Sequence, residues 1–442
     1  MKNLPLPFLE RMKSRFETEE FLQFQKAYEV DFTQSIRLNP KKPIIEFQDY
    51  PSVFWNEDGK YLEQKRSFIT DPLWHAGTYY VQEASSMILK EVFKQIYPKK
   101  SPELALDLCA APGGKSTLLQ SLLDKDSVLI ANEVIKSRVQ ILKENHIRLG
   151  ISQNLILTQN DPKDFTKLEE FFDYIQVDAP CSGEGMFRRD EIALKEWSEA
   201  NCQLCSERQK RILANIAPTL AKDGYLVYST CSFNPEENEN LMNWFCQEFD
   251  FDSVSLHFPL EWGISEIQSE NCFAYYFYPH KVKGEGLFLS VLQKKSGYGK
   301  KNFSILKPHK NCTVSPFIQV ENCQSENGTY RAVSPELTAV LNEIKNCLNP
   351  IYYGVELGEL KGKDFIPAQA LANFHKKLHH FPEVEISKEE ALEFLRGNDP
   401  NLALNQKGIY LINYRNSSLG WLKFIGNRSN NYYPKPWRIK YY

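Results

Sequence analysis

The stretch Leu104-Ala-Leu-Asp-Leu-Cys-Ala-Ala-Pro-Gly-Gly-Lys-Ser-Thr117 begins as a short apolar run and passes, through small residues and two glycines, into a helical segment. Glycine lets a turning backbone come close to a ligand, and the first N–H groups of the following helix lack partners within it, so they favour polar or anionic ligand atoms. A phosphate-binding loop is the obvious rival, because Gly-Gly-Lys-Ser-Thr ends like one. That loop requires a further glycine four intervening residues before the Gly114-Lys115 pair, and Cys109 stands there instead. Outward from this point, between 96 and 295, short apolar runs (Leu104 to Leu108, Ser127 to Ala131, Asn154 to Leu157, Tyr174 to Val177, Gly224 to Tyr228) alternate with helical segments. The alternation predicts an α/β core with a largely parallel sheet and helices on both faces. Ligands of such sheets bind beyond the carboxyl ends of the strands, so the residues just after each run are the ones that matter.

The second run ends in Ala131-Asn-Glu133, 24 positions after Cys109, where a carboxylate is suited to hold the two hydroxyls of a ribose. The third ends in Asn160-Asp161, where a carboxylate can accept a hydrogen bond from the exocyclic amine of adenine. Alternatively, Asp161 starts a turn with Pro162 or caps a helix. Three suitable groups at successive strand ends together describe a nucleoside cofactor.

The fourth run ends in Val177-Asp-Ala-Pro-Cys-Ser-Gly-Glu-Gly185 and the fifth in Tyr228-Ser-Thr-Cys-Ser-Phe233. Two cysteines, Cys181 and Cys231, therefore stand at the rim where the cofactor is expected. Carbon 5 of cytosine is too poor a nucleophile to take a methyl group unless a nucleophile first adds to carbon 6, and a cysteine thiolate adds readily and can leave again. A free thiol with a pKa of about 8.5 is only slightly ionised near neutrality, so such a site lowers that value or supplies a base. After transfer, the carbon 5 proton must go, assisted by a second cysteine or a water, and Asp178 can hydrogen-bond the ring nitrogen and amine of the base. Read singly, each of these cysteines, and Cys109, is a small buried residue of a strand end. Flanked by Asp178 and by Asn234-Pro-Glu-Glu-Asn238, they are not single. An amino-directed methyltransferase would place Pro-Pro and an aromatic after the acidic residue, and Asp178-Ala-Pro-Cys181 does not fit.

These motifs, with Gly77-Thr-Tyr-Tyr-Val-Gln-Glu-Ala-Ser-Ser86, resemble those of the Sun-type RNA cytosine-5 methyltransferases, and in particular bacterial members that act on small-subunit rRNA. The resemblance spans essentially the whole chain. It implies a Rossmann-like core dependent on S-adenosyl-L-methionine, held by Cys109, Ala110, Ala111, Pro112, Gly113, Gly114, Lys115, Glu133, Asp161 and Asp178, with Arg138 near the cofactor. It also implies that Cys231 attacks the base while Cys181 helps to release the product; spacing alone leaves that assignment open. One departure is Tyr276, where relatives usually carry Arg, which puts substrate or loop contacts in doubt. Leu419 to Pro434 resembles a PUA-like RNA-binding module, and Leu357 to Phe365 the small domain that precedes it in these relatives.

The expected domains are an α+β RNA-binding unit at 1–95, the catalytic core at 96–295, a linker and small domain at 296–380, and a PUA-like domain at 381–442. In the first, Phe8 to Lys26 reads as one amphipathic helix and Ser35 to Leu38 as a strand; Ser296 to Pro316 reads as a linker or surface loop. Net charge is only −3, so contact with nucleic acid must come from local patches. The tail from Lys407 is such a patch: Lys407, Arg415, Lys423, Arg428, Lys435, Arg438 and Lys440 interleave with aromatics, and no acidic residue intervenes. Arg188, Arg189, Arg208, Lys210 and Arg211 either meet phosphates or form a solvated helix face. Cys202 and Cys205 have the spacing of half a zinc site, but no second pair accompanies them and no metal is expected. At 42% hydrophobic and 25% charged residues, with no bilayer-length apolar run and no signal-like start, the chain reads as a cytoplasmic protein. RNA, above all small-subunit rRNA or the 30S subunit, is the expected partner; membrane and DNA are not, and a monomer is expected. The competing functions are the same chemistry on tRNA and a non-catalytic RNA-binding role in ribosome assembly.

Overall fold

The computed structural model describes residues 4–151, 153–298, 312–362 and 364–440. Residues 299–311 of the expected linker and the last two tyrosines of the tail lie outside these. The chain opens with two helices, α1 (Leu6–Arg15) and α2 (Thr18–Ala27), in place of the single helix expected there. Phe16 and Glu17 are extended, with ψ of 150° and 156°, and turn the chain back on itself. The fold-back has a packing reason: Phe8 and Met12 from α1 and Phe21 and Phe24 from α2 all enter one buried cluster with Phe187, Trp197 and Phe233 of the catalytic core. A small sheet follows, formed by β1 (Ser35–Leu38), β2 (Ser52–Val53), β3 (Asn56–Tyr61) and β4 (Tyr79–Val81) in the order β2-β3-β1-β4. A short helix, α3 (Pro72–His75), precedes β4, and α4 (Leu89–Ile96) leads into the core.

The apolar runs become β5 (Leu104–Asp107), β6 (Val128–Asn132), β7 (Leu155–Thr158), β8 (Phe172–Asp178) and β9 (Leu220–Thr230), parallel in the order β7-β6-β5-β8-β9. Each has apolar residues on both faces: Leu104, Leu106 and Ile130 belong to the cluster on one side, Ala105, Leu129 and Ala131 to that on the other. Between them run α5 (Gly114–Leu122), α6 (Lys136–Leu149), α7 (Glu191–Glu196), α8 (Glu199–Ile216) and, after β9, α9 (Glu239–Glu248). The sheet is mixed and not simply parallel. β10 (Phe251–Ser253), β11 (Ser265–Ser269), β12 (Cys272–Phe277) and β13 (Leu287–Lys294) complete one side, with β13 antiparallel to β9. At the other edge Pro350–Tyr353, from the stretch expected as a separate small domain, pairs antiparallel with β7. The antiparallel strands escape the sequence reading because their turns carry no helical segment to mark a crossover.

Beyond this edge, Cys323–Glu326, Thr329–Ala332, Val355–Lys361 and Asp364–Pro367 form a four-stranded sheet. The last unit is a second sheet of Glu383–Glu385, Gly408–Tyr414, Ser417–Phe424 and Ser429–Asn431 with the helix Lys388–Arg396, whose Ser387 and Glu390 form a capping box. It packs against the N-terminal unit: Ile36, Leu73 and Tyr79 share one buried cluster with Phe394, Ile412, Leu422 and Tyr433. The first and last units thus touch, and α6 joins them. The Arg148 guanidinium lies 3.9 Å from the Trp74 ring centroid of the first unit and 5.9 Å from that of Trp437 in the last, and the Arg148 carbonyl accepts from Lys42 Nζ at 2.9 Å. Gly77 passes against this same point with φ of +74°, and a Cβ there would fall 1.8 Å from the Arg148 carbonyl oxygen. Gly77→Ala is therefore expected to lower the urea midpoint, with a loss of at least ~2 kcal/mol of stability.

Candidate active site

The loop after β5 is drawn against α6 from behind. Arg138 Nη2 donates to the Ala111 carbonyl and Asn145 Nδ2 to the Pro112 carbonyl, both at 2.7 Å, and the Ala111-Pro112 peptide is cis. Gly113, at φ +119°, then enters α5 without a side-chain cap. The first-turn amides are consequently left for a ligand. Lys115 reaches across the carboxyl ends of the strands to Asp178 Oδ2 at 2.9 Å, while Ser229 Oγ donates to Asp178 Oδ1 at 2.8 Å. Beneath them Asp107 is fully buried, and burial, with Asp178 nearby, pushes its carboxyl up to about 8. Burial, reinforced by Asp107, pushes the Cys109 thiol up as well.

A cleft of about 570 Å³ opens here, lined by Cys109, Ala111, Pro112, Lys115, Asp178, Cys181 and Cys231. Its size suits a small-molecule ligand, and its small-residue wall, uncapped helix start and lysine suit the charged tail of a nucleoside cofactor. Ala110, Gly113 and Gly114 are not among the residues that line it. Glu133 is only 3% exposed; it accepts from the Ile135 N–H at 2.9 Å and pairs with Arg138 at 3.1 Å, outside the cleft lining. Asp161 caps the following turn, accepting from the Lys163 N–H at 3.0 Å. These two carboxylates thus stand at the ends of β6 and β7 without facing the space where the cysteines meet.

Cys181 and Cys231 follow β8 and β9, which are adjacent and in register with Asp178 beside Ser229. Their sulfurs are 3.2 Å apart. The contact with Cys231, then burial, holds the Cys181 thiol protonated well above its ordinary range. Two buried glutamates fix the loops that carry them. Glu237 accepts from the Ser182 N–H at 2.8 Å, from the Ser182 hydroxyl, and from Ser232 Oγ at 2.9 Å, so one carboxylate ties both cysteine loops together. Glu184 accepts from the Phe233 N–H and Trp197 Nε1, both at 2.9 Å, and from Arg11 of α1.

Other residues take places that local pattern does not announce. Tyr276 is wholly buried and does not face the cleft: its hydroxyl donates to Glu239, and the Arg15 guanidinium from α1 lies 4.3 Å from its ring centroid. Arg15 also pairs with Glu239, so a cation from the N-terminal unit sits against this strand. Cys202 and Cys205 are buried along α8, and the described residues contain no cluster of metal-ligating groups. Arg188 turns inward to the Gly284 carbonyl, whereas Arg189 lines the cleft. Glu83, Ser86, Met186 and Glu285 also line it, and the sequence reading does not single them out as site residues. Glu83 sits within the quoted Gly77 to Ser86 stretch, but Glu285 has no spacing signal at all. Glu237→Ala should cost about 2–4 kcal/mol by leaving the buried Ser182 N–H without a partner and the Ser182 and Ser232 hydroxyls with only each other. In a timed alkylation with a thiol reagent, that variant should also modify Cys181 and Cys231 faster than the parent.

Three family models match in sequence: the N-terminal domain of 16S rRNA methyltransferase RsmF over residues 4–84, the 16S rRNA methyltransferase RsmB/F over 95–293, and the methyltransferase RsmF PUA domain over 381–439. The ribosomal RNA small subunit methyltransferases F of Citrobacter koseri and Klebsiella pneumoniae are each 30% identical, covering 98% of this chain and 96% of theirs. A methyltransferase homologue from Pyrococcus horikoshii is 30% identical with a TM-score of 0.52 over 62% of this chain and 91% of its own. The fold is shared with NSun6 from the same organism, at 20% identity and a TM-score of 0.55, over 66% of this chain and 99% of that one. With its Rossmann-like core, its paired cysteines and its terminal domains, the chain belongs to the RsmF family of methyltransferases.

Proposed function

We propose that the protein transfers a methyl group from S-adenosyl-L-methionine to carbon 5 of cytosine in small-subunit (16S) rRNA, through a covalent Cys231 adduct at carbon 6. The observation that carries this reading is the pair of thiols 3.2 Å apart at the ends of adjacent strands, beside Lys115 and Asp178 in one cleft. S-adenosylmethionine supplies an electrophilic methyl group on a sulfonium. Cys109 to Lys115 and Asp178 would hold it, with Glu133 and Asp161 at the next two strand ends as the groups for its ribose and adenine. Lys115 pairs with Asp178 and orients it, so that this carboxylate can accept from the amine of the base. Cys231 adds to carbon 6 and raises the electron density at carbon 5. Cys181, in contact with the nucleophile, assists the departure of its sulfur.

A cytosine must leave its stack to reach Cys231, which favours an open RNA region. The terminal unit supports RNA contact through Lys407, Arg428, Lys435 and Lys440, all exposed, with Tyr432 and Trp437 partly exposed among them. Not every residue of that pattern serves it. Trp421 and Tyr433 are core residues, and Lys423 and Arg415 pair with Asp364 and Glu46.

Labelled S-adenosylmethionine with purified small subunits, naked rRNA or bulk tRNA tests the reading. Wild type should form 5-methylcytosine in the ribosomal substrate; Cys231→Ala should lose at least ~10³-fold in rate, and Cys181→Ala should leave RNA bound through denaturation. Modification of tRNA alone would move the assignment to tRNA, cofactor binding without modification of any of the three would favour a binding role, and an active Cys231→Ala would overturn the mechanism. For the terminal unit, Arg428→Ala and Lys435→Ala should each weaken RNA binding and flatten the plot of log K against log salt by about 1 for every phosphate no longer neutralised, with cofactor affinity unchanged.

A further inference from the structure

Loss of the carbon 5 proton is the one step of this reaction for which the cysteines offer no ready base. After methylation, carbon 5 bears both the methyl group and the hydrogen, and the bond from Cys231 to carbon 6 breaks only when the C5–H electron pair moves into the ring. Cys181 is held protonated by its contact with Cys231 and by burial. Asp178 is occupied on one oxygen by Lys115 and on the other by Ser229. A further carboxyl group lines the cleft. In the β13–β9 ladder Phe288 stands opposite Thr230, so one step on brings Leu287 towards Cys231, and Glu285 stands two residues before Leu287 in the loop that leads into β13. Leu287, Glu285 and Cys231 indeed line one cleft.

The loop that presents Glu285 is firmly built. Its N–H donates to Glu83 Oε1 at 2.9 Å, and the Gly284 carbonyl accepts from Arg188. Gly286, at φ +138°, packs so closely that a Cβ would fall 2.5 Å from the Phe233 ring and 3.1 Å from Gly185 Cα. Gly185 in turn donates its N–H to the Cys231 carbonyl at 2.7 Å. The Glu285 loop and the nucleophile's loop are thus wedged together, and Arg189 at the cleft mouth lies 3.3 Å from Glu285 Oε1.

We propose that Glu285 is the base that takes the carbon 5 proton, directly or through one water, an assignment that rests on the cytosine-5 reading above. The methyl group bonds to carbon 5 as its bond to the sulfonium breaks, leaving a neutral thioether; the C5–H pair then re-forms the C5–C6 double bond, the sulfur leaves carbon 6 as the Cys231 thiolate, and the proton passes to the Glu285 carboxylate. The charged groups that face Glu285 are Glu83, Arg188 and Arg189, with Lys115, Asp178 and the two thiols across the cleft. Burial first, and Glu83 next, push its carboxyl up to about 7, which makes it a stronger base than an ordinary carboxylate while leaving much of it ionised near neutrality. The competent form is the deprotonated one. Proton release should therefore rise with pH through about 7 and level off above it.

RNA carrying tritium at carbon 5 of cytosine separates this step from the rest. Glu285→Gln should slow release of tritium to water by ~10²-fold, accumulate methylated RNA–protein adduct that survives denaturation, and lose the rise in rate through pH 7. Glu285→Asp should recover part of the rate. Without cofactor, exchange of the carbon 5 tritium by wild type should exceed that by Glu285→Gln, while the two proteins melt within a few degrees of each other. Tritium release from Glu285→Gln at the wild-type rate, or an unchanged pH profile, would overturn the assignment of Glu285 alone. A wild type that binds RNA and cofactor yet forms no 5-methylcytosine would overturn the cytosine-5 reading itself.

Discussion

Lateral hydrogen bonding of β8 to β9 holds the whole site together. Because the two strands are parallel and in register, both chains leave the sheet at the same height, with Asp178 beside Ser229, and the loops that follow must run side by side. Two thiols fifty residues apart in sequence are brought into contact by that alignment, and Glu237 locks it with donors from both loops. A shift of one residue in this pairing would send Asp178 to the opposite face of the sheet and away from Lys115. The chemistry therefore depends on the register of a buried strand pair as much as on any single side chain.

The part of the fold legible in sequence is the part whose residues must satisfy the sheet and the ligand together. Leu104 to Thr117 announces a strand, a close backbone turn and a helix start, and all three lie where that reading places them. The five parallel strands are visible because burial on both faces demands uninterrupted apolar runs. The antiparallel half of the sheet is less legible: Ser265–Ser269 is polar and partly exposed, and nothing local in Pro350–Tyr353 indicates that it pairs with a strand nearly two hundred residues earlier. The split of the first helix depends on partners, Phe187 and Phe233, that no local pattern contains.

The site shows the same division. Cys109, Asp178, Cys181 and Cys231 stand at or just past strand ends, Lys115 stands in the first turn of α5, and all five converge on one cleft. Glu133 and Asp161 stand at the next two strand ends, and each also holds its own turn, Glu133 through the Ile135 amide and Arg138 and Asp161 through the Lys163 amide, which strand position cannot reveal. Tyr276 owes its surroundings to a residue distant in sequence, since the Arg15 guanidinium lies over its ring from more than two hundred and fifty residues earlier. The N-terminal unit, through Arg11 on Glu184 and Arg15 on Glu239, is thereby part of the support of the cysteine loops.

Pro350–Tyr353 lies along β7, the outermost of the parallel strands, and covers hydrogen-bonding groups that would otherwise face water. A flat apolar strand with an open row of amides and carbonyls is a template for another chain, so this short segment acts as a guard against self-association of the catalytic sheet. Evolutionary exchange of the C-terminal units is constrained accordingly: a replacement module must bring its own edge strand, or the core it joins becomes adhesive.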